Sequence, residues 1–324
     1  MILSPTTENL ARAADVLRMG GVVAIPTETV YGLAGRIDND LALGSIFSLK
    51  GRPADNPLIV HVSSTLEAMV VVHPSAHEQL VHLAQLFWPG PLTLVLPKAD
   101  GVSPIVTGGL QTVAVRMPEH PIARMIIELC GSPLAAPSAN RSGRPSPTTA
   151  EHVESDLGHD VLIVNGGPCR VGLESTVVRV LPDRLVILRP GVVTAQDLQT
   201  RSGLLVDHSV SDTELIASPG TRYRHYAPNA ILLIVSSEED VVDHLSGGEG
   251  DVMILTRPEV HASFSGRIVG SLTEHDLYAE LRRADDLHVE RIVVLCDEAV
   301  RGNEALMNRL RKASGDGNEQ DTGT

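Results

Sequence analysis

Aromatic residues make up only 2% of the 324-residue chain. Its core must therefore be built from Val, Leu, Ile and Ala, which suits buried aliphatic strands in an α/β layer. Cysteine is equally scarce. Cys130, Cys169 and Cys296 lie far apart and form no C-x-x-C pair. That excludes a disulfide framework and a cysteine-based zinc site, and it fits a reducing cytoplasm. No apolar run reaches the ~18 residues that span a bilayer, so no membrane partner is expected. The first residues lack a basic stretch followed by an apolar one, so no signal peptide is read and a cytoplasmic location is expected.

Positive charge is also short. The chain carries 26 Lys and Arg against 40 Asp and Glu, a net charge of −14. The deficit is uneven: 14 basic against 18 acidic residues over 1–200, and 12 against 22 over 201–324. A broad basic face for a nucleic-acid backbone is thereby disfavoured, and any anion site must be local. The basic residues of the first part do cluster in motif-like stretches: Lys50, Arg52, Arg116, Arg141, Arg144 and Arg189.

Several catalytic signatures are missing too. There is no Walker A loop, no kinase H-R-D set and no G-x-S-x-G elbow, and none of the 13 His has zincin spacing. No metal-ligating residue is assigned. Glu28 and Glu174 are not paired by the sequence across a bond to be cleaved, and read as hydrogen-bonding or capping residues.

What is present is an α/β rhythm. Thr6 or Thr7 caps a helix to about Met19, and Val22 to Ile25 is a buried strand. A helix begun at Asp38 or Asn39 delivers Lys50, and Leu58 to Val62 is a strand carrying His61. One or two helices fill 65–87, and Leu92 to Leu96 is a strand. Thr112–Arg116 alternates as a strand should, with Thr112, Ala114 and Arg116 on one face. Pro121 opens a helix to Cys130, and Leu134 to Ala136 feeds the polar loop 137–146. A helix capped at Thr148 or Thr149 follows, then strands at 161–164, 174–178 and 185–188, and a helix capped by Thr194. Residues 230–312 hold three further strands alternating with helices, without a G-x-G-x-x-G. The expected domains are 1–205, a linker or lid at 206–229, a small α/β domain at 230–312 and a disordered tail at 313–324.

Lys50-Gly-Arg-Pro sets two cations around a residue whose missing side chain lets a ligand approach the backbone. Lys serves polyphosphate as a point charge and Arg as a bidentate fork. Strand-end loops elsewhere supply Ser, Thr, Asn and further Arg. Such a set binds and positions anions without a protein nucleophile, which nucleotidyl transfer requires. Mg²⁺ is the expected cofactor, held mainly through ATP phosphates.

Eight motifs in order then carry a resemblance: Pro26-Thr-Glu-Thr-Val-Tyr-Gly-Leu33, Lys50-Gly-Arg-Pro, Pro57-Leu-Ile, Trp88-Pro-Gly-Pro-Leu-Thr, Val115-Arg-Met-Pro, Pro137-Ser-Ala-Asn-Arg-Ser-Gly, Glu174-Ser-Thr-Val and Arg189-Pro-Gly. Over residues 8–312 the chain resembles the YrdC-type threonylcarbamoyl-AMP synthases. The stretch Ser218-Pro-Gly-Thr-Arg-Tyr-Arg-His-Tyr-Ala-Pro228 is similar to the linker of their long, two-domain form. The resemblance implies an α/β fold: a twisted open sheet with a concave cavity (YrdC-like, DHBP-synthase-like) plus a small Rossmann-like C-terminal domain. It implies that L-threonine, bicarbonate or CO₂ and ATP give L-threonylcarbamoyl-adenylate and pyrophosphate, for modification of adenosine 37 in tRNA. A separate threonylcarbamoyl transferase would act downstream, and contact with tRNA is a further expectation.

Carried over by motif, the L-threonine site would comprise Thr29, His61, Arg116 and Ser175. The ATP site would comprise Lys50, Arg52, Asn56, Thr112, Ser138, Asn140, Ser146 and Arg189, with Tyr226 reaching in from the linker. Lys50 and Arg52 would be the catalytic pair. Two other readings compete. A carbamoyltransferase that forms carbamoyl-adenylate from carbamoyl phosphate would bring zinc-finger C-x-x-C pairs, which are missing here. A non-catalytic module for double-stranded RNA or tRNA would conflict with the charge of −14.

Overall fold

The computed structural model describes residues 1–208, 226–246 and 251–315. These fall into two compact units. Residues 1–142 and 146–208 form the first. Residues 143–145 belong with those after 225 in the second. Most of the expected linker and of the expected tail lies outside the described residues.

Among the described residues, the first unit holds one sheet of eleven strands. They are β1 (Ile2–Leu3), β2 (Val23–Ile25), β3 (Gly32–Arg36), β4 (Ile59–His61), β5 (Leu92–Pro97), β6 (Thr112–Arg116), β7 (Leu134–Ala135), β8 (Leu162–Val164), β9 (Thr176–Val180), β10 (Arg184–Arg189) and β11 (Leu205–Asp207). Their spatial order is β1-β8-β2-β3-β7-β4-β6-β5-β9-β10-β11, with parallel and antiparallel neighbours mixed. The strand expected at 174–178 begins two residues later, so Glu174 and Ser175 are left in the preceding loop. β3 was not expected. Its Gly-Leu-Ala-Gly-Arg sequence has little strand preference. Tertiary packing requires it to be lean: a Cβ on Gly35 would lie 3.2 Å from Ile46 Cδ1.

Local signals set the helices. In α1 (Thr7–Arg18) the Thr6 side chain accepts from the Asn9 N–H, and in α2 (Asp40–Lys50) Asn39 accepts from the Ala42 N–H. α2 stops at Gly51, whose φ of 61° is the left-handed conformation that glycine adopts freely. The next helices are α3 (Thr65–Val71), α4 (His77–Phe87), α5 (Pro104–Thr107), α6 (Pro121–Cys130), α7 (Ala150–Leu157) and α8 (Ala195–Ser202).

Strand alternation divides the apolar residues between the two faces of the sheet. Val60, Leu94, Val113, Val115 and Val178 join a large core with Leu43 and Ile46 of α2, Leu80 and Leu83 of α4, and Leu198 of α8. On the other face, α1 and α6 cover the β8-β2-β3 end through Leu10, Leu17, Ile126 and Ile127. Further along that face the apolar cluster is small. It consists of Ile59, Val95, Ala114, Val177, Val186 and Leu188 from strands, with Leu181 packed against it. His61 and Arg116 follow Ile59 and Ala114 by two residues and share their face.

The second unit has its own parallel sheet of four strands: β12 (Ile231–Val235), β13 (Val252–Thr256), β14 (Ile268–Ser271) and β15 (Arg291–Leu295), in the order β12-β15-β13-β14. β14 is one strand more than the sequence suggests. Its helices are α9 (Glu238–Ser246), α10 (Leu277–Asp286), α11 (Glu298–Arg301) and α12 (Glu304–Ser314). α12 continues two residues beyond the expected end at Lys312.

Candidate active site

Arg116 ends β6 and is held on three sides. Its Nε donates to Gly90 O at 3.1 Å and its Nη1 to Thr29 Oγ1 at 2.9 Å. Its Nη2 lies 2.5 Å from Glu28 Oε1. Gly90 comes from the Trp88-Pro-Gly-Pro turn, where a Cβ would stand 2.6 Å from Phe87 O. Burial by itself pushes the Glu28 carboxyl up. The Arg116 guanidinium and the Glu119 N–H, which donates to Oε2, outweigh it and hold Glu28 below the usual carboxylate range. His61 pairs in register with Arg116, and its Nδ1 lies 3.1 Å from Ile59 O. Burial first, and the Arg116 charge second, push its pKa down to about 3. The ring is therefore neutral at physiological pH.

The opposite end of β6 gathers a second set. Continuing the β4–β6 register by two residues sets Thr112 beside Pro57. Arg52 donates through Nη2 to Asn56 Oδ1 and to Pro57 O, each at 2.7 Å. Lys50, the last residue of α2, is buried and donates to Ser138 O and Asn140 O. Burial, with the Arg52 charge second, pushes its ammonium well below the usual lysine value, while Asp156 and Glu174 oppose the shift. Thr112 and Arg116 are four residues apart on one strand, about 13 Å at the usual rise.

Arg189 ends β10 at the Arg116 end of the sheet. It donates from Nη2 to Ser175 O at 3.0 Å and to Ser175 Oγ at 3.2 Å. Ser175 Oγ also meets Thr93 Oγ1 at 2.7 Å. Ser146 donates to Glu174, the residue before Ser175. Tyr226 belongs to the second unit. Its ring lies 5.3 Å from that of Tyr278, with the Arg309 guanidinium 5.6 Å above it.

The sequence-derived residues of the first unit thus form two neighbouring groups. His61, Arg116, Ser175 and Arg189 stand at one end of the strands, and Thr29, from the turn between β2 and β3, joins them through its bond to Arg116. Lys50, Arg52, Asn56, Thr112, Ser138 and Asn140 stand at the other. Arg189, read with ATP from the sequence, is placed beside Ser175. Three contributors fall inside the quoted motifs without a site role assigned from the sequence: the Gly90 carbonyl, Thr93, and Glu28, whose hydrogen-bonding reading is met by Arg116 and the Glu119 N–H. Both cationic groups with nearby hydroxyls and amides can orient anions. Among the described residues, no group of three or more His, Cys, Asp or Glu could hold a metal ion. Nor is any described helix long and apolar enough to cross a membrane.

Two family models cover most of the chain. The Sua5/YciO/YrdC model, described as "Telomere recombination", matches residues 15–191. The model of the "Threonylcarbamoyl-AMP synthase, C-terminal domain" matches residues 192–315. The chain is 44% identical to the threonylcarbamoyl-AMP synthase of Bacillus subtilis, over 97% of this chain and 95% of that one. It is 42% identical to that of Pyrococcus abyssi, over 94% and 93%. The crystal structure of P. abyssi Sua5 complexed with L-threonine superposes with a TM-score of 0.85 at 37% identity, covering 97% of both chains. With both family models matched in order and the likeness running nearly end to end, the chain belongs to the Sua5 family of threonylcarbamoyl-AMP synthases.

Proposed function

We infer that this chain is an L-threonylcarbamoyl-adenylate synthase, a nucleotidyltransferase serving tRNA modification. It converts L-threonine, bicarbonate or CO₂ and ATP into the adenylate and pyrophosphate. The observation that carries the reading is the two-ended cationic strand face, with buried Arg116 at one end and Lys50 and Arg52 at the other. The threonine-bound relative of like fold supports it.

In this reading Arg116 orients the amino-acid carboxylate, and Thr29, Ser175 and neutral His61 surround the rest of that substrate. A His ring with a pKa near 3 positions groups and is a poor base at neutral pH. Lys50, Arg52, Asn56, Thr112, Ser138, Asn140 and Ser146 hold ATP. A bound triphosphate would restore the charge on Lys50, which burial now disfavours. Arg189, steadied by Ser175, meets the α-phosphate where the substrates join. Lys50, Arg52 and Arg189 offset the charge that develops as the carbamate oxygen attacks that phosphorus and pyrophosphate leaves.

The buried carboxylates Glu28 and Glu174 are engaged with Arg116 and Ser146, and the donor set is otherwise hydroxyl, amide and cation. Such a set fits Mg²⁺ only as an ion carried by the phosphates with its waters. When bound there, Mg²⁺ supplies further charge neutralisation on the triphosphate. We place the protein in the cytoplasm, in keeping with cysteines that are all free and buried. A separate transferase is to receive the adenylate, with tRNA as final acceptor. The test is pyrophosphate release from ATP. It should require L-threonine and bicarbonate together. Release driven by carbamoyl phosphate instead would assign the chain to the carbamoyltransferase reaction.

A further inference from the structure

Glu28 and Arg116 are each only 3% exposed, and Arg116 Nη2 lies 2.5 Å from Glu28 Oε1. The two atoms form a close buried ion pair whose geometry is not that of a well-aligned hydrogen bond. The remaining atoms of both groups are anchored from behind. Glu28 Oε2 accepts from the Glu119 N–H, and Arg116 is fixed by Gly90 O and Thr29 Oγ1. Two adjacent buried groups of opposite sign, paired with each other beside Thr29 and His61, are the complement of a zwitterion, which can take one partner from each. An α-amino acid carries both charges on one carbon.

We propose that Glu28 receives the ammonium group of the amino-acid substrate while Arg116 takes its carboxylate, and that Glu28 then accepts the proton that must leave the nitrogen before it attacks. The proposal rests on the threonine-side reading above and adds to it the residue that handles the substrate nitrogen. The groups that face Glu28 electrostatically are Arg116 on β6, His61 on β4, His120 before α6, and Cys169. Burial pushes the Cys169 thiol up to about 12 and both histidines down. At neutral pH the two charges in this group are therefore Arg116 and Glu28. They sum to zero, as a zwitterion does, and mismatch a lone anion or cation.

Burial is the largest influence on the Glu28 carboxyl, and Arg116 is what counters it. Once Arg116 turns to the substrate carboxylate, its hold on Glu28 is shared and the proton affinity of Glu28 rises. The balance is then complete. One N–H proton passes to Glu28 Oε1, and the freed lone pair forms the N–C bond to bicarbonate carbon. The C–OH bond breaks, and its hydroxide leaves as water with a second N–H proton. The third proton stays on the carbamate nitrogen.

Calorimetry on the full-length chain tests the binding half with three probes: L-threonine, 3-hydroxybutyrate (no amine) and 1-amino-2-propanol (no carboxylate). Each truncated probe should bind about 30-fold or more weaker than threonine, the scale for losing one partner of a buried charge pair. If 3-hydroxybutyrate binds within about threefold of threonine, no group answers the ammonium and the proposal falls, while the threonine site stands. If threonine itself does not bind, or binds Arg116→Met as well as wild type, the threonine-side reading falls instead. The pH profile tests the proton transfer. With Glu28→Gln, kcat/KM for threonine should climb about tenfold per pH unit between 6 and 9, because only free amine reacts. Wild type should be nearly flat over that range. Parallel profiles would overturn the proton-acceptor role. Should Glu28→Gln fail to fold, the wild-type probe series decides the binding half by itself.

Discussion

Replacing Arg116 by Met should destabilise the first unit in a pH-dependent way. The side chain loses its bonds to Gly90 O and Thr29 Oγ1, and Glu28 loses its counter-ion in a buried setting. Removing one partner of a buried ion pair costs about 3–5 kcal/mol. In the wild type the folded Glu28 carboxyl is held below its ordinary value. Its contribution is thus present above the unfolded pKa and is lost as pH falls through the folded one. In Arg116→Met, burial acts unopposed and raises the folded pKa above the unfolded value. That variant should regain stability relative to wild type as Glu28 is protonated, and the gap between the two should narrow from pH 7 to pH 4. The double variant Glu28→Gln/Arg116→Met, with no buried charge at either position, should recover most of the loss at pH 7. Trp88 is the single tryptophan, is buried, and donates from its indole to Leu92 O in the same turn region that supplies Gly90. Urea titrations followed by its fluorescence therefore report on the first unit. A loss below about 1 kcal/mol at pH 7, or an equal loss at pH 7 and pH 4.5, would refute the account of this pair.

Arg52→Lys removes a fork that spans Asn56 Oδ1 and Pro57 O, and should lower kcat/KM for ATP by roughly 10²-fold in a pyrophosphate-release assay; a change under threefold would argue against its role. Gly191→Ala would set a Cβ 2.5 Å from Thr176 N and 2.7 Å from Thr176 Oγ1, so it should cost about 1–3 kcal/mol of stability and raise KM for ATP through the displaced Arg189. The His61 ring, with its pKa near 3, should stay neutral by NMR from pH 8 to pH 5, and a midpoint between 6 and 7 would contradict its burial against Arg116. By linkage, the neutral ring favours folding above the unfolded His pKa of about 6.5, and this stability drains away as pH falls from there towards 3.

The sequence carried the strands whose faces alternate and the helices with caps. Thr112–Arg116 was legible because β-branched Val113 and Val115 alternate with Thr112, Ala114 and Arg116, and Pro121–Cys130 because a proline opens it and a glycine closes it. β3 was not legible, since its strand state comes from pairing with β2 and β7 and from close packing on α2. The cations of the site could be named from motifs because glycine, proline and arginine cluster there. Their mutual arrangement could not. Glu28 meets Arg116 and Lys50 meets the Ser138 and Asn140 carbonyls only because the fold brings segments distant in sequence together, while Arg189 meets Ser175 across the β9–β10 hairpin. A backbone acceptor such as Gly90 O carries no residue-type signal at all.

Isotope incorporation tests the central claim most directly. The chain is incubated with ATP, Mg²⁺, L-threonine and ¹³C-bicarbonate, and the products are followed by mass spectrometry. The account predicts L-threonylcarbamoyl-adenylate heavier by the one labelled carbon, formed in step with pyrophosphate and lost in Arg116→Met and Arg52→Ala. Absence of the labelled adenylate from well-folded protein, or its undiminished formation by either variant, would contradict it.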